Sequence, residues 1–318
     1  METYNGISLS SGAARGYYQL GALHAAESNG KLKEVKYYAG SSVGGAISLL
    51  LAVGWTSLEI FTHLCTHDIS SCVAYTFDFE QTLTKWGMMN TDALKHYVKR
   101  MIIAKWGGIP TFSDLHKEGK YFVCCAYRLK SKDPCVYFSP TTHPQMSTLD
   151  AILLSMSIPL IFECSSFEGS FYIDGGLFDK NPAKYLETVI QGDATAPRIL
   201  SISLETREHE VEEESITEFS EYIKEVLLVS VYQQKKVETT NSIHSLYLTI
   251  KETNDEVSLV IPSKDKIEWF CSGLQQGLNY FANTLEATES SESTLSNMND
   301  SLDNTGSLIN SPFDTNAS

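Results

Sequence analysis

The 318 residues are 42% hydrophobic, 11% aromatic and 20% charged, the make-up of a folded chain with a large core, which excludes a collagenous, wholly disordered or membrane-embedded protein. Twenty-four Lys and Arg against 39 Asp and Glu leave a formal charge of −15, a field that repels phosphate backbones and argues against nucleic-acid partners. Seven scattered cysteines with no C-x-x-C pair fit reduced thiols better than a disulfide framework.

Met1 to Gly6 is polar, and the first apolar run, Ile7 to Leu9, reads as a short strand and not as a signal peptide. The expectation is therefore a cytoplasmic chain, with peripheral membrane association or delivery into a host cell left open. A small-residue turn, Ser10 to Ala14, precedes a helix through Tyr17, Leu20, Leu23 and His24 that ends near Gly30. Val35 to Ala39 is a second strand, Gly40 to Gly45 a second tight turn, and Ala46 to Ala52 an apolar helix. The longest apolar run, Ala46 to Val53, is far short of the roughly 18–20 residues that a membrane span requires. Strand, turn and helix thus occur twice in succession, the rhythm of an α/β fold. It predicts a three-layer α/β/α sandwich with a central, mostly parallel sheet.

Two turns carry candidate chemistry. Gly40-x-Ser42-x-Gly44 lies between strand and helix, where a strained elbow would project the serine hydroxyl and the helix N-terminus would favour negative charge. An idle serine in a glycine-rich turn fits this motif equally well. Ser11-Gly12-Ala13-Ala14-Arg15-Gly16 can aim backbone N–H groups at a developing oxyanion. A nucleotide-phosphate loop is the rival, but the spacing matches neither G-x-G-x-x-G nor G-x-x-x-x-G-K-[ST].

His63 and His67, with Cys65 between and Cys72 beyond, are at most half a metal site with no second ligand pair in view, so packing or surface histidines are preferred and no metal is expected. Trp86 to Met89 and Trp106 to Ile109 flank an amphipathic helix, Thr91 to Ile103, carrying Lys95, Lys99 and Arg100. Such a rim could touch a lipid surface transiently; core packing with a solvated basic face is the preferred reading. Tyr121 to Tyr127 and Val136 to Phe138 read as strands, and Asp150 to Ser157 as a helix stopping before Pro159. Phe171 to Ile173 is a strand leading into Asp174-Gly175-Gly176. A hydroxyl nucleophile must lose its proton as it attacks, and a carboxylate within reach can take it, although Asp-Gly-Gly alone is more often a turn.

Ile199 to Leu204 is a further strand, followed by an acidic connector, Arg207 to Ser215, and an amphipathic helix through Ile216, Phe219, Ile223, Val226 and Leu227. Strands at Ser245 to Ile250 and Val257 to Ile261 and a closing helix, Ile267 to Phe281, complete one domain over 1–283. The tail, 284–318, is rich in Ser, Thr and Asn, carries Glu286, Glu289, Glu292, Asp300, Asp303 and Asp314 with no Lys or Arg, and is expected to be disordered. His209 and His244 follow the acid in the order of a Ser-His-Asp hydrolase, but neither has a strand-end context.

Taken together, the loop ending in Arg15-Gly16, the Gly40-x-Ser42-x-Gly44 elbow and Asp174-Gly175-Gly176 resemble the patatin-like phospholipase family. Thr111 to Leu115, Ser155-Met156-Ser157-Ile158-Pro159 with Phe162, and Asn181-Pro182 also look like family positions, so the likeness runs from about Gly6 to Leu204. It implies a lipid acyl hydrolase of phospholipase A type that works without cofactor, on a lipid or acyl-ester substrate, through an acyl-enzyme. Ser42 would be the nucleophile and Asp174 the base. Amides around Gly12 and Ala13, within the loop from Gly12 through Ala14 and Arg15 to Gly16, would bind the oxyanion; Arg15 would support that loop or add positive potential. Gly40, Gly44, Gly175 and Gly176 would give the motifs room. Where the family usually has Gly-Gly-Gly this chain has Ser11-Gly12-Ala13, and a methyl at a residue needing positive φ would strain the loop by about 1–3 kcal/mol. That departure favours, as alternatives, a catalytically weak lipid-binding or scaffold protein; a thioesterase or acyltransferase using the same serine is another.

Overall fold

The computed structural model describes residues 3–67, 84–206, 222, 226, 229, 234–250 and 261–283. The acidic connector with His209, most of the helix expected after it, Cys72, the strand expected from Val257 and the tail lie outside the described residues.

Strands β1 (Gly6–Leu9), β2 (Tyr37–Ser41), β4 (Tyr121–Arg128), β9 (Ile199–Thr206) and β10 (Ile243–Ile250) form a parallel core in the order β10-β9-β1-β2-β4. These segments are near-continuous apolar runs because a parallel sheet is covered on both faces. Beyond Ser41 the edge of β4 that holds β2 turns antiparallel and takes β8 (Ser170–Asp174), which pairs in turn with β7 (Ser165–Phe167), while β5 (Cys135–Phe138) lies along the opposite edge of β4. A separate short pair joins β3 (Gly87–Met89) to β6 (Leu160–Phe162).

On one face lie α1 (Gly16–Ser28), α2 (Val43–Ala52) and α6 (Thr148–Ser155), where a side chain on Gly45 of α2 would meet Cys124 of β4 and Ile152 of α6. The other face is covered by α7 (Ala183–Gly192), whose Ala183, Leu186 and Ile190 pack on Ala39, Val123, Ile199 and Ile243. The expected three layers are thus present. Helices α3 (Ser57–Thr66), α4 (Asp92–Trp106) and α5 (Phe112–Lys117) surround this frame. Both α3 and α5 open with a capping box, Thr56 with Glu59 and Thr111 with Asp114, which gives the Thr111 to Leu115 segment its structural role.

The chain divides into two compact units, Met1–Gly277 and Leu278–Ser318. In the first, a helix that starts at 263 packs so closely on α1 that a Cβ on Gly21 would fall 2.0 Å from Phe270 O, and one on Gly273 2.0 Å from Tyr18 O. In the second, residues 278–283 are helical and the rest lie outside the described residues. Among the described residues no single helix is long and apolar enough to cross a membrane.

Two expected boundaries move. The second strand runs through Ser41 and α2 begins at Val43, so the turn expected over Gly40 to Gly45 shrinks to Ser42 alone. Gly44 and Gly45 are poor helix formers by propensity, yet packing against β1 and β4 overrides that. The expected Asp150 to Ser157 helix spans Thr148–Ser155, because the Ser147 side chain caps it by accepting from the Asp150 amide.

Candidate active site

The parallel register brings the site together at the carboxyl ends of the strands. Ser41 pairs with Cys125 on β4, and the next β4 residue, Ala126, pairs with Asp174 on β8. Strand β4 is therefore the shared partner of both, and the end of β2 meets the end of β8 along one of its edges. Ser42 has φ 53 and ψ −125, a left-handed conformation that costs a non-glycine residue on the order of 1 kcal/mol or more. The strain is held by neighbours: its amide donates to Ser155 Oγ at 3.0 Å, and a Cβ on Gly44 would sit 2.4 Å from both Leu9 O and Ser10 O, so β1 locks the elbow from beneath.

The Ser42 hydroxyl donates to Asp174 Oδ2 at 2.5 Å, with both residues only 4% exposed. The other carboxylate oxygen, Oδ1, accepts from the Gly176 amide at 2.7 Å, and the Asp174 amide donates to Ser157 O at 2.8 Å. Burial pushes the Asp174 carboxyl up to about 7, against the opposing effect of the hydrogen bonds from Ser42 and Gly176. A carboxyl poised there can both take and return a proton near neutral pH. The N-terminus of α2 points at Ser42 and favours negative charge forming beside it.

The loop before α1 is anchored at both ends. Gln19 Nε2 donates to Ser10 O at 2.7 Å, the Ser11 amide donates to Lys180 O at 2.8 Å, and the Arg15 amide is taken by Gly12 O. The Gly12 and Ala13 amides are bonded to no backbone carbonyl among the described residues. Ala13 lies at φ 46, so the methyl flagged in the sequence does sit in the left-handed region. Relief of that penalty, roughly 1–2 kcal/mol, exceeds the roughly 0.5–1 kcal/mol entropic cost of glycine. Ala13→Gly is accordingly expected to stabilise the chain by up to about 1 kcal/mol, read as a rise in Tm. Gly12 is extended, and its need is for space: a Cβ would fall 2.1 Å from Leu204 Cδ1. Gly16 meets Val43 of α2, Gly175 meets Cys125 O, and a Cβ on Gly176 would lie 2.5 Å from Ser11 Oγ, so the acid's turn and the loop are in direct contact.

Residues that sequence reasoning did not assign hold this arrangement. Ser155 fixes the Ser42 amide, and Gln234 clasps the acid's turn by donating to Gly176 O at 2.8 Å while accepting from the Lys180 amide. Asn181 accepts from Ser8 and donates to Ser201 and Ser203, pinning the turn to β1 and β9. The Ser155 to Pro159 and Asn181-Pro182 segments marked these positions, but only the tertiary contacts reveal what they do.

The other candidates sit elsewhere. His63 and His67 stack ring on ring at 3.9 Å, and among the described residues no group of three or more His, Cys, Asp or Glu could hold a metal. His244 pairs with Leu200, level with Ile7 and Tyr38, at the end of the sheet opposite Ser42, and packs on Tyr4. In the tryptophan-flanked segment Met89, Val98, Met101 and Ile102 are buried as expected, but Trp86, at a positive φ, is exposed.

Residues 7–187 match the Patatin family, described as patatin-like phospholipase. The chain is 31% identical over 185 residues to the probable lipid hydrolase 463L of Invertebrate iridescent virus 6, which covers 56% of this chain and 62% of that protein. It is 30% identical over 173 residues to the uncharacterized protein R571 of Acanthamoeba polyphaga mimivirus, covering 54% of this chain and 57% of that one. The chain thus spans about three fifths of the length of these curated relatives. Among solved structures, the heterodimeric ExoU–SpcU complex from the type III secretion system of Pseudomonas aeruginosa superposes with a TM-score of 0.52 at 15% identity, covering 90% of this chain and 52% of the other, a likeness of fold.

Proposed function

The chain belongs to the patatin-like phospholipase family, and from that premise we propose that it is a lipid acyl hydrolase, cleaving fatty acyl esters of phospholipids or related lipids through a Ser42–Asp174 dyad. The observation that carries this reading is the 2.5 Å hydrogen bond from the hydroxyl of Ser42, on its strained elbow, to the buried carboxylate of Asp174. Asp174 takes the Ser42 proton as Oγ attacks the acyl carbonyl, and the Gly12 and Ala13 amides receive the oxyanion. Collapse of the tetrahedral intermediate expels the alcohol, which leaves with the proton held on Asp174. Water then attacks the acyl-enzyme, giving a proton to Asp174 that returns to Ser42 as the fatty acid departs. Every proton and electron pair in this scheme comes from the chain, the ester and water.

Hydrolysis of a short-chain chromogenic ester and of phospholipid vesicles, with calcium and with a chelator, tests the reading. Turnover that is indifferent to the chelator and lost in Ser42→Ala supports it; an inactive chain, or Ser42→Ala as active as its parent, sinks it. The pH profile adds a second handle. The base must be ionised, and its carboxyl sits at about 7, so kcat/KM is expected to fall about tenfold per pH unit below that value and to level off above it. A profile flat from pH 5 to 8 would remove Asp174 from the base's role.

A further inference from the structure

We propose that a rim formed by Trp86, Leu129, Leu160 and Phe171 seats the chain on a zwitterionic lipid surface with the Ser42 edge toward the bilayer, an inference that rests on the lipid hydrolase reading for its substrate. Trp86 is 55% exposed, Phe171 41%, Leu160 40% and Leu129 40%. They are contiguous. The Trp86 and Phe171 rings meet at 5.1 Å, Leu160 pairs with Gly87 beside Trp86, and the Leu129 amide donates to Phe171 O. The rim stands on the candidate site's side of the sheet. Leu129 follows β4 four residues beyond Cys125, which is level with Ser41, so it stands about 10 Å past the Ser42 elbow at roughly 3.3 Å per residue.

Backbone strain gives an independent reason to see design in this exposure. Among the described residues, seven non-glycine positions have positive φ: Ala13 and Ser42 lie in the site, Trp86 (58) and Leu160 (66) on the rim, Lys130 (55) and Glu168 (49) in turns beside it, and Ala194 (54) elsewhere. A bulky apolar residue rarely adopts this conformation, and strain that persists clusters where function needs it. Here the two strained bulky residues, Trp86 and Leu160, are also exposed. Tryptophan prefers the membrane interface, with its ring in the acyl boundary.

Charge identifies the lipid. Lys85 is paired with Glu163 at 2.8 Å, and exposed Lys130 and Lys132 are offset by exposed Asp133 and Glu168. With Arg128, which donates to Ser131 Oγ at 2.8 Å, the described charges beside the rim leave about one net positive charge on a chain of formal charge −15, far short of the roughly four to eight clustered basic residues that draw in anionic lipid, and so match a surface of phosphocholine dipoles.

The test uses the full chain carrying Ser42→Ala, so that vesicles stay intact, and measures cosedimentation with phosphatidylcholine vesicles. Trp86→Asn with Leu160→Asn is expected to reduce partitioning about tenfold or more, because the buried apolar area is lost. Asparagine tolerates positive φ, so Tm should hold or rise. Unchanged partitioning overturns the proposal, as does a Tm well below the parent's, which would make these side chains packing. Leu129→Asp, on an exposed loop, carries the same test independently. Phosphatidylserine should weaken binding at low salt and salt should restore it; tighter low-salt binding to anionic vesicles overturns the zwitterionic assignment. Vesicle binding by a chain whose parent turns over no ester supports the rim while sinking the hydrolase, and turnover of soluble ester without vesicle binding does the reverse.

Discussion

Ser42→Ala is expected to lower kcat/KM for acyl-ester hydrolysis by about 10⁴-fold or more, and Asp174→Asn by about 10²–10⁴-fold, with the double variant little worse than Ser42→Ala alone. The asymmetry follows from the roles. Without Ser42 Oγ there is no acyl-enzyme, whereas without Asp174 the hydroxyl is still present on its elbow and loses only the group that takes its proton at 2.5 Å. Non-additivity is the sharper readout, because two groups of one proton relay cannot be removed twice. Multiplying losses would mean that the two act in separate steps. Asp174→Asn also has a stability signature of opposite sign. Burial raises the folded carboxyl to about 7, so its stabilising protonation is complete at low pH and lost as pH rises through about 7. The Asn variant should therefore gain Tm relative to its parent at pH 8 more than at pH 5. Less activity and more stability in one variant is what a functional buried acid produces.

Gly44→Ala is expected to destabilise the chain by about 3 kcal/mol or more and to abolish activity in any folded fraction. By helix propensity the change should gain about 1 kcal/mol, since Gly44 is in the first turn of α2. The site reverses that sign. The new Cβ would stand 2.4 Å from two backbone carbonyls, Leu9 O and Ser10 O, which cannot rotate away as a side chain would. To make room, the end of β1 must move, and with it the loop that carries Gly12 and Ala13. The internal control is Gly192→Ala at the end of α7, where nothing lies within 4 Å of the new methyl and a gain of about 0.5–1 kcal/mol is expected. Urea midpoints of the two variants decide the matter: a Gly44→Ala midpoint equal to the parent's would mean that elbow and loop are not interlocked.

Much of this architecture is written in local patterns. The doubled strand, turn and helix at the N-terminus reads out directly, because buried parallel strands need uninterrupted apolar runs such as Ile7 to Leu9 and Tyr121 to Ala126. Three motifs far apart in the chain name the candidate serine, acid and loop by residue type and flanking glycine. The segments with weaker local signals were less legible. Helix α7 was not anticipated although its apolar stripe packs on the core, and the elbow was drawn several residues too long because two glycines look like turn when only their own propensity is weighed. Packing, the reading preferred for the tryptophan-flanked segment, does not hold at Trp86, which is exposed, because what covers a side chain is set by the tertiary structure and not by residue type.

Which residues can do chemistry follows from residue type, because nucleophile, acid and amide loop are properties of side chains and of glycine at fixed short spacings. That they meet follows from the fold. The register of β2 and β8 along one edge of β4 sets Ser42 against Asp174, and long-range contacts from Ser155, Asn181 and Gln234 hold them there. It also decided the acid's strength, since a carboxyl reaches about 7 only when the fold removes it from water. Desolvation and through-space contact depend on what packs around a residue, and that is a property of the whole chain rather than of any segment.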